Sequence, residues 1–528
     1  MLKRRTFIAG TAAAFACGHL IRVAHAQDTP RPGGTLIMSL EPEPSGFLLS
    51  SNTAQVLAGQ VTDGLVEYDA DMKPQPCLAE RWEESEDRRT ITFHLRKGVK
   101  WHDGQPFTSK DVEYSLIEFV KKLNPRAGSA LRTLDTVETP DDHTAVLKFS
   151  APSLVFWSVI SSLESPMIPR HLFEGTSPIT NPWNGKLIGT GAFKFKEWQK
   201  GEYILLERNE DYWKAGAPLI NRIRIKIITD AGARLAALEA GEVHYSPLSP
   251  ISHSDVTRLR SSDLLRVETD GYGPFNPLLF MDFNLERPVF QDKRVRAAFA
   301  HAIDKQAIVD KVFFGLGRAA TGPLPSTLQA FYTKDTTQYD YDPAAAEKLL
   351  DEAGLPRGSD GVRVRLNHYP MPYGNTYTRA SEYIKEALRQ VGVELELHTV
   401  DVAQYLRKIF TERDFDTMTC AYVVGADPQF GVFRRFWSKN FEKGVPWSNG
   451  SGFSDPEVDK IIDGTFEAAD SAERQELINR LQRAAQDHLP SVSLVEMQHF
   501  SVVSSAVKGL NTFPDGYSKP LDGVWLDT

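Results

Sequence analysis

Residues 89–116 read RTITFHLRKGVKWHDGQPFTSKDVEYSL, a stretch that contains the signals of a strand, a tight turn and a capped helix. Apolar and polar residues alternate over 91–95, which predicts a half-buried strand. Gly104 marks a turn. Thr108 and Asp111 have the spacing of a capping box, so we predict that a helix begins at this point.

The same stretch contains a histidine beside an aspartate, His102 and Asp103, a pair of residue types that also serves in catalysis. A catalytic pair needs a nucleophile or substrate in reach, and its members are rarely adjacent in sequence. Asp103 is already explained as a turn residue. We therefore predict that the pair supports the local fold.

Length and composition describe a soluble protein of several domains. The chain has 528 residues, of which 41% are hydrophobic and 24% charged, and this length is too great for one core. The formal charge of −9 is spread without long acidic or basic blocks, which argues against a nucleic-acid partner. Past the N-terminus, no apolar run approaches the roughly 20 residues of a spanning helix.

The first 26 residues have the pattern of an export signal. A basic start is followed by a modest apolar stretch and a small-x-small end at Ala26. Arg4 and Arg5 fit the twin-arginine export pattern in part. We predict cleavage after Ala26 and a periplasmic location, with lipid attachment at Cys17 as the less favoured alternative. Cleavage removes four basic residues and no acidic ones, so the formal charge falls from −9 to −13.

The mature chain keeps Cys77 and Cys420, which are far apart in sequence and belong to no CxxC or Cys/His cluster. Two thiols do not form a disulfide framework, so we predict two buried cysteines. No histidines stand at zinc spacing, and no metal or cofactor is predicted.

Beyond this region, strand patterns alternate with helix patterns, which predicts an α/β architecture with largely covered sheets. Asp342 and Asp455 each precede a proline and an apolar helical pattern, as N-cap residues do. The motifs GxxxxGK[ST], HExxH and GxSxG are absent. The loop 189–193, GTGAF, is too short to bind a dinucleotide and predicts a close backbone approach to a neighbouring strand or to a ligand.

An ordered set of segments resembles the peptide/nickel class (family 5) of extracytoplasmic solute-binding proteins, the receptors of ABC importers. The segments are 78–116, 189–213 (GTGAFKFKEWQKGEYILLERNEDYW), 290–325, 341–355 (YDPAAAEKLLDEAGL), 426–428 (ADP) and 454–464 (SDPEVDKIIDG). Each segment is a weak signal by itself. Their common order covers essentially the whole mature chain.

The resemblance implies a two-lobed periplasmic-binding-protein fold of type II, similar to cluster C, with an extra subdomain. Lobe I would comprise 27–60, 175–272 and 492–528, with the subdomain 61–174 inserted in it. Lobe II would run over 273–491. The chain would cross between the lobes near 269–280 and 490–500.

The resemblance also implies a function: binding a peptide or peptide-like solute between the lobes and delivering it to the permease and ATPase of an ABC importer. The protein would be a monomer without enzymatic activity. A receptor for an opine, a sugar, a metal chelate or haem is the alternative reading. An exported hydrolase is less favoured, because no motif supplies its nucleophile, base and oxyanion donors. A sensory or chaperone module without an importer partner is a third class.

Two charged anchors of the family are absent here. Peptide-binding members carry an acid three residues before the D-P pair, where this chain has Val424, and dipeptide binders carry an arginine where it has Met371. A hydrogen bond to a charged group contributes about 1.5–3 kcal/mol, so a free dipeptide clamped at both ends is disfavoured. Asp427 could substitute in part, although a residue in its position usually shapes the turn.

The candidate ligand-binding residues are carried over by position, and each of them could instead be a packing residue. They are Glu43, Ser45, Thr190, Tyr369, Met371, Tyr373, Tyr422, Val423, Val424, Asp427 and Trp437.

Overall fold

The computed structural model describes residues 30–527, except 45, 48–51, 70–71, 178–179, 469 and 511–519. The predicted export signal, Cys17 and the candidate residue Ser45 lie outside the described residues.

The strands are given first, in chain order. They are β1 Thr35–Leu40, β2 Val66–Tyr68, β3 Pro74–Pro76, β4 Ala79–Glu84, β5 Thr90–Leu95, β6 Leu134–Asp141, β7 Thr144–Phe149, β8 Phe193–Gln199, β9 Tyr203–Arg208, β10 Arg222–Ile227, β11 Tyr245–Ser246, β12 Leu265–Glu268, β13 Pro277–Phe283, β14 Gly317–Ala319, β15 Val364–Tyr369, β16 Val393–Leu397, β17 Thr417–Val423, β18 Ser491–Met497, β19 Ser501–Ser504, β20 Val507–Lys508 and β21 Trp525–Leu526.

The α-helices follow in the same way. They are α1 Asn52–Val61, α2 Ser109–Glu113, α3 Lys121–Leu123, α4 Pro125–Ala130, α5 Arg170–Phe173, α6 Ala231–Glu239, α7 His253–Leu259, α8 Pro288–Gln291, α9 Lys293–Ala302, α10 Lys305–Lys311, α11 Pro343–Glu352, α12 Asn375–Gln390, α13 Val402–Leu406, α14 Pro428–Gly431, α15 Phe433–Phe436, α16 Pro456–Glu467 and α17 Ser471–His488. Wider π-type turns at Tyr114–Val120 and Arg407–Glu412 continue α2 and α13.

Two mixed sheets form the centres of two lobes. The first has the strand order β12-β19-β11-β1-β10-β9-β8, in which β1 runs parallel to β10 and to β11. The second has the order β14-β18-β13-β17-β15-β16, in which β15 runs parallel to β16 and to β17. Helices lie between these strands along the chain, and the predicted α/β class is confirmed.

A smaller antiparallel sheet, β4-β5-β7-β6, lies within the stretch predicted as an inserted subdomain. Ile91, Phe93 and Leu95 of β5 are buried as the alternation predicts. These side chains join one hydrophobic cluster with Leu36 and Met38 of β1. The inserted sheet therefore shares a continuous core with lobe I.

The chain passes twice between the two large sheets. The first passage runs from Glu268, where β12 ends, to Pro277, where β13 begins. The second runs from Met497 to Ser501. The family resemblance implies that lobe I resumes at residue 492, whereas β18 pairs with β13 and β14 in the second sheet through Met497. Lobe II therefore extends six residues beyond the implied end at 491.

The predicted helix caps are confirmed. The side chains of Asp342 and Asp455 accept hydrogen bonds from the first-turn N–H groups of α11 and α16. Asp111 accepts a hydrogen bond from the Thr108 N–H at 2.8 Å, which completes the capping box before α2. Among the described helices, none is both long enough and apolar enough to cross a bilayer.

Candidate functional site

The histidine of the WHDG turn holds the GTGAF loop. His102 Nδ1 accepts from the Gly189 N–H at 3.2 Å, and its Nε2–H donates to the Gly191 carbonyl at 3.0 Å. Burial lowers the pKa of His102 to about 4, so the ring is neutral at physiological pH, as this pair of bonds requires. Two segments about 90 residues apart are thereby fixed to each other.

Asp103 has different partners from His102. Its Oδ1 accepts from the Gln105 N–H at 3.1 Å, which closes the turn, and its Oδ2 lies 2.7 Å from Nε2 of His171. The two residues of the His-Asp pair therefore bind separate parts of lobe I, as expected of residues that support the local fold.

The GTGAF loop makes its close backbone approach to the end of α1 rather than to a strand. A Cβ added at Gly189 would lie 1.8 Å from the Val61 carbonyl oxygen, and one at Gly191 would lie 2.6 Å from the Val61 carbonyl carbon. Only glycine fits at these two positions. The loop between them carries Thr190, whose hydroxyl donates to Asp63 Oδ2 at 3.0 Å.

Asp63 is the centre of a buried polar cluster in lobe I. It also accepts from Trp213 Nε1 at 3.0 Å and from the Tyr212 hydroxyl at 3.4 Å. Burial raises the pKa of Asp63 to about 6 despite these donors. The cluster connects the ends of three segments of lobe I, and Thr190 belongs to it.

One cavity, of about 710 Å³, lies between the lobes beside the second passage of the chain, and we call it the crossover cavity. Its lobe I wall includes the start of α6 (Asp230, Arg234) and the start of α7 (His253). Its lobe II wall is formed by Met371, Tyr373, Asn375, Thr376, Tyr377, Arg379, Ala421 and Val423, and Met497, Gln498 and His499 complete it.

A second cavity, of about 420 Å³, lies between the inserted subdomain with α1 on one side and residues 429–448 with Phe466 on the other. We call it the aromatic cavity. Its rings are Phe47, Phe119, Phe430, Phe433, Trp437, Trp447 and Phe466. Phe430 belongs to lobe II by sequence yet packs into the core cluster of lobe I, so the two lobes are in contact beside this cavity.

Further contacts join the lobes at both ends of the cleft. The guanidinium of Arg132 in the subdomain lies 3.9 Å from the ring centroid of Phe466 in α16. On the crossover side, His253 Nδ1 lies 3.4 Å from the Thr376 hydroxyl. The two lobes therefore touch at both ends of the cleft and enclose the space between them.

Four of the candidate residues line these cavities. Met371, Tyr373 and Val423 lie in the wall of the crossover cavity, and Trp437 lies in the wall of the aromatic cavity. Met371 is fixed there because its sulfur accepts from the Ala421 N–H at 3.2 Å. Tyr373 is 47% exposed.

The carboxylate of Asp427 is fully engaged inside lobe II. Its two oxygens each lie 2.7 Å from the guanidinium of Arg474 in α17, and Oδ1 also accepts from the Gln429 N–H at 2.9 Å as the N-cap of α14. Both side chains of the ion pair are almost fully buried. Asp427 therefore shapes the turn, and its charge is already compensated. Val424 packs beside it in an apolar cluster and is fully buried.

The remaining described candidates contact other parts of the two lobes. Tyr369 stacks on His398 with ring centroids 5.0 Å apart. Glu43 accepts from Trp198 Nε1 at 2.8 Å, which ties it to the β8–β9 hairpin. Tyr422 is 2% exposed and packs against Phe280. Neither cavity is lined by these three or by Thr190 and Val424.

Several wall residues were missed by the sequence reasoning. Arg234, His253 and His499 enter the crossover cavity from lobe I and the passage, and burial lowers the pKa of both histidines to about 4. Arg379 enters from the first turns of α12. The tyrosine-rich segment before α12 could have indicated that Arg379 lies near the cavity. No pattern in the sequence around His253 indicates a cavity residue.

Cys77 and Cys420 are free and buried, as predicted. Burial raises the pKa of both thiols well above the usual value, so they are protonated and unreactive at neutral pH. Within the described ranges, no group of three or more His, Cys, Asp and Glu residues is arranged to hold a metal ion.

Comparisons with known proteins agree with the fold and the cleft. The model of the bacterial extracellular solute-binding proteins, family 5 Middle, matches residues 73–453. A putative ABC transporter peptide-binding protein of Brucella ovis is 30% identical over 501 residues, covering 90% of each chain. The glutathione-binding protein GsiB of Pectobacterium atrosepticum is 27% identical over 500 residues, covering 93% of this chain and 92% of that protein.

Among solved structures, the oligopeptide-binding protein AppA from Bacillus subtilis, in complex with a nonapeptide, has a TM-score of 0.80 at 24% identity. The match covers 95% of this chain and 100% of that chain. The two-lobed fold that the segment order implied is thereby confirmed. The chain belongs to the bacterial extracellular solute-binding proteins of family 5.

Proposed function

We propose that this protein binds a peptide or peptide-like solute between its lobes and delivers it to the permease of an ABC importer. The observation that carries the proposal is the crossover cavity, because both lobes and the passage between them contribute to its wall. Its volume of about 710 Å³ lies within the roughly 300–1,000 Å³ typical of small-molecule sites. The names of the relatives support a peptide as the solute class.

A free dipeptide held by charge at both ends is disfavoured. The two family anchor positions are occupied by Val424, which is buried in a core, and by Met371, which forms a neutral wall. Asp427 cannot replace the acidic anchor, because Arg474 already compensates both of its oxygens. We therefore propose a longer, blocked or modified peptide, with Met371, Tyr373, Val423 and Trp437 as contact residues.

The protein would act outside the cytoplasmic membrane as a monomer without catalytic activity of its own. The export signal 1–26 would be removed after Ala26, and closure of lobe I and lobe II would present the loaded form to the permease. N-terminal sequencing of the exported protein checks the cleavage site: Gln27 as the first residue supports it, and a start at Cys17 contradicts it.

A thermal-shift screen of the protein from Gln27 tests the proposed function. The panel contains dipeptides, blocked dipeptides, tetra- to nonapeptides, glutathione, opines, sugars and metal chelates. A ligand at 100 times its dissociation constant adds about 2.7 kcal/mol to the free energy of unfolding. A shift with longer or blocked peptides and none with free dipeptides is the expected result. A shift with a sugar or an opine alone would contradict the peptide assignment.

Two matched variants show whether the solute binds in the cleft. Val423→Trp fills the crossover cavity, and Leu264→Trp adds the same side chain on the outside of lobe I, where Leu264 is 68% exposed. The first variant should lose the ligand-induced shift and the second should keep it. Equal shifts in both variants would place binding elsewhere.

A further inference from the structure

We infer that the solute carries a bulky aromatic or hydrocarbon group and that this group occupies the aromatic cavity. The inference rests on the proposed function, because it assigns a part of the same solute. The cavity adjoins the cleft between the same two lobes, and its volume of about 420 Å³ corresponds to about fourteen waters at about 30 Å³ each.

The walls of this cavity are preformed. Phe47 is fixed by an edge contact with Trp198, with ring centroids 5.7 Å apart. Trp437 packs against Phe466 at 5.5 Å. Trp447 lies in contact with several rings of lobe II behind it, Tyr405 and Phe410 among them. Rings held by their own neighbours do not collapse into the space, so an apolar guest meets a rigid surface and loses little by ordering it.

The residues that line the aromatic cavity carry no net formal charge. Glu164 and Arg434 are its charged residues, and their formal charges cancel. Glu164 is bonded to Asn124, and the guanidinium of Arg434 lies 5.1 Å from the ring centroid of Tyr422. The cavity therefore selects for shape and apolar area, as expected of a site for an uncharged group.

The test uses isothermal titration calorimetry with tetra-alanine, four derivatives that carry phenylalanine at one position each, and N-benzoyl tetra-alanine. Ala58→Phe fills the cavity from α1, and Leu264→Phe is the matched outside control. Far-UV circular dichroism and the melting temperature confirm that each variant is folded.

The wild type and Leu264→Phe should bind the best aromatic derivative at least tenfold more tightly than tetra-alanine, the scale of selection by an apolar pocket. Ala58→Phe should remove this preference and change the affinity for tetra-alanine by less than about threefold, because the crossover cavity is untouched.

The outcomes separate this inference from the proposed function. If peptides bind the wild type without aromatic preference, or if Ala58→Phe retains that preference, the inference is wrong and the proposed function stands. If no member of the set binds the wild type and no peptide in the thermal-shift panel does, the proposed function fails, and the inference fails with it.

Discussion

Replacing Asp427 with asparagine should destabilise lobe II and leave solute affinity unchanged. The carboxylate and the Arg474 guanidinium are 2% and 5% exposed and are joined by two contacts of 2.7 Å. Removing one partner of such a pair leaves a buried charge uncompensated, which costs about 3–5 kcal/mol. Asparagine still caps the Gln429 N–H, so no capping loss is added.

Urea denaturation followed by circular dichroism measures this loss, and Asp427→Asn combined with Arg474→Met completes the comparison. The double variant should recover most of the stability, because an apolar replacement of a buried pair is often close to neutral. The reasoning is refuted if the single variant loses less than about 1 kcal/mol, the range of an exposed pair. It is also refuted if the folded single variant binds the solute tenfold more weakly, since Asp427 would then be an anchor for the solute.

Three predictions concern the framework of lobe I. Gly189→Ala should prevent folding or lower the melting temperature strongly, because its Cβ would lie 1.8 Å from the Val61 carbonyl oxygen. Gly185→Ala is the control: its Cβ would meet open space, so this variant should yield wild-type amounts of soluble protein. His102→Ala should cost about 1–3 kcal/mol in urea denaturation, because the Gly189 N–H loses its acceptor while the Gly191 carbonyl keeps only Asn209 as a donor; an unchanged stability would contradict this. Burial raises the pKa of Asp63 from 3.8 to about 6. The protonated side chain therefore contributes its full stabilisation of the folded state below about pH 3.8, and this contribution is lost as the pH rises through about 6. The loss amounts to about 3 kcal/mol at about 1.4 kcal/mol per pKa unit, and Asp63→Asn should flatten the stability profile between pH 4 and 7; an unchanged profile would show that another group titrates.

Local signals in the sequence predicted local structure well. The alternation before His102, the capping box at Thr108 and the caps at Asp342 and Asp455 all appear as expected, because each depends on residues a few positions apart. The order of segments then predicted the family and the two lobes. Neither step needed knowledge of which strands pair.

Contacts between distant residues could not be predicted. The partner of Asp427 is Arg474, one of several arginines in the following helices, and the partners of His102 lie nearly 90 residues away in a glycine loop. Nothing in the local pattern of β18 distinguishes one sheet from the other. The aromatic cavity likewise depends on Phe430 crossing into the core of lobe I, which only the closed arrangement of the lobes reveals.

The central claim is that a solute binds between the lobes and holds them closed. Pulsed electron paramagnetic resonance tests it through the distance between spin labels at Glu118→Cys in the subdomain and Glu457→Cys in lobe II, two exposed positions. The experiment uses the protein from Gln27, whose two native cysteines, Cys77 and Cys420, are buried, so labelling is confined to the introduced ones. A saturating peptide from the thermal-shift screen should shift the distance distribution to shorter values and narrow it. An unchanged distribution at saturation would contradict the account.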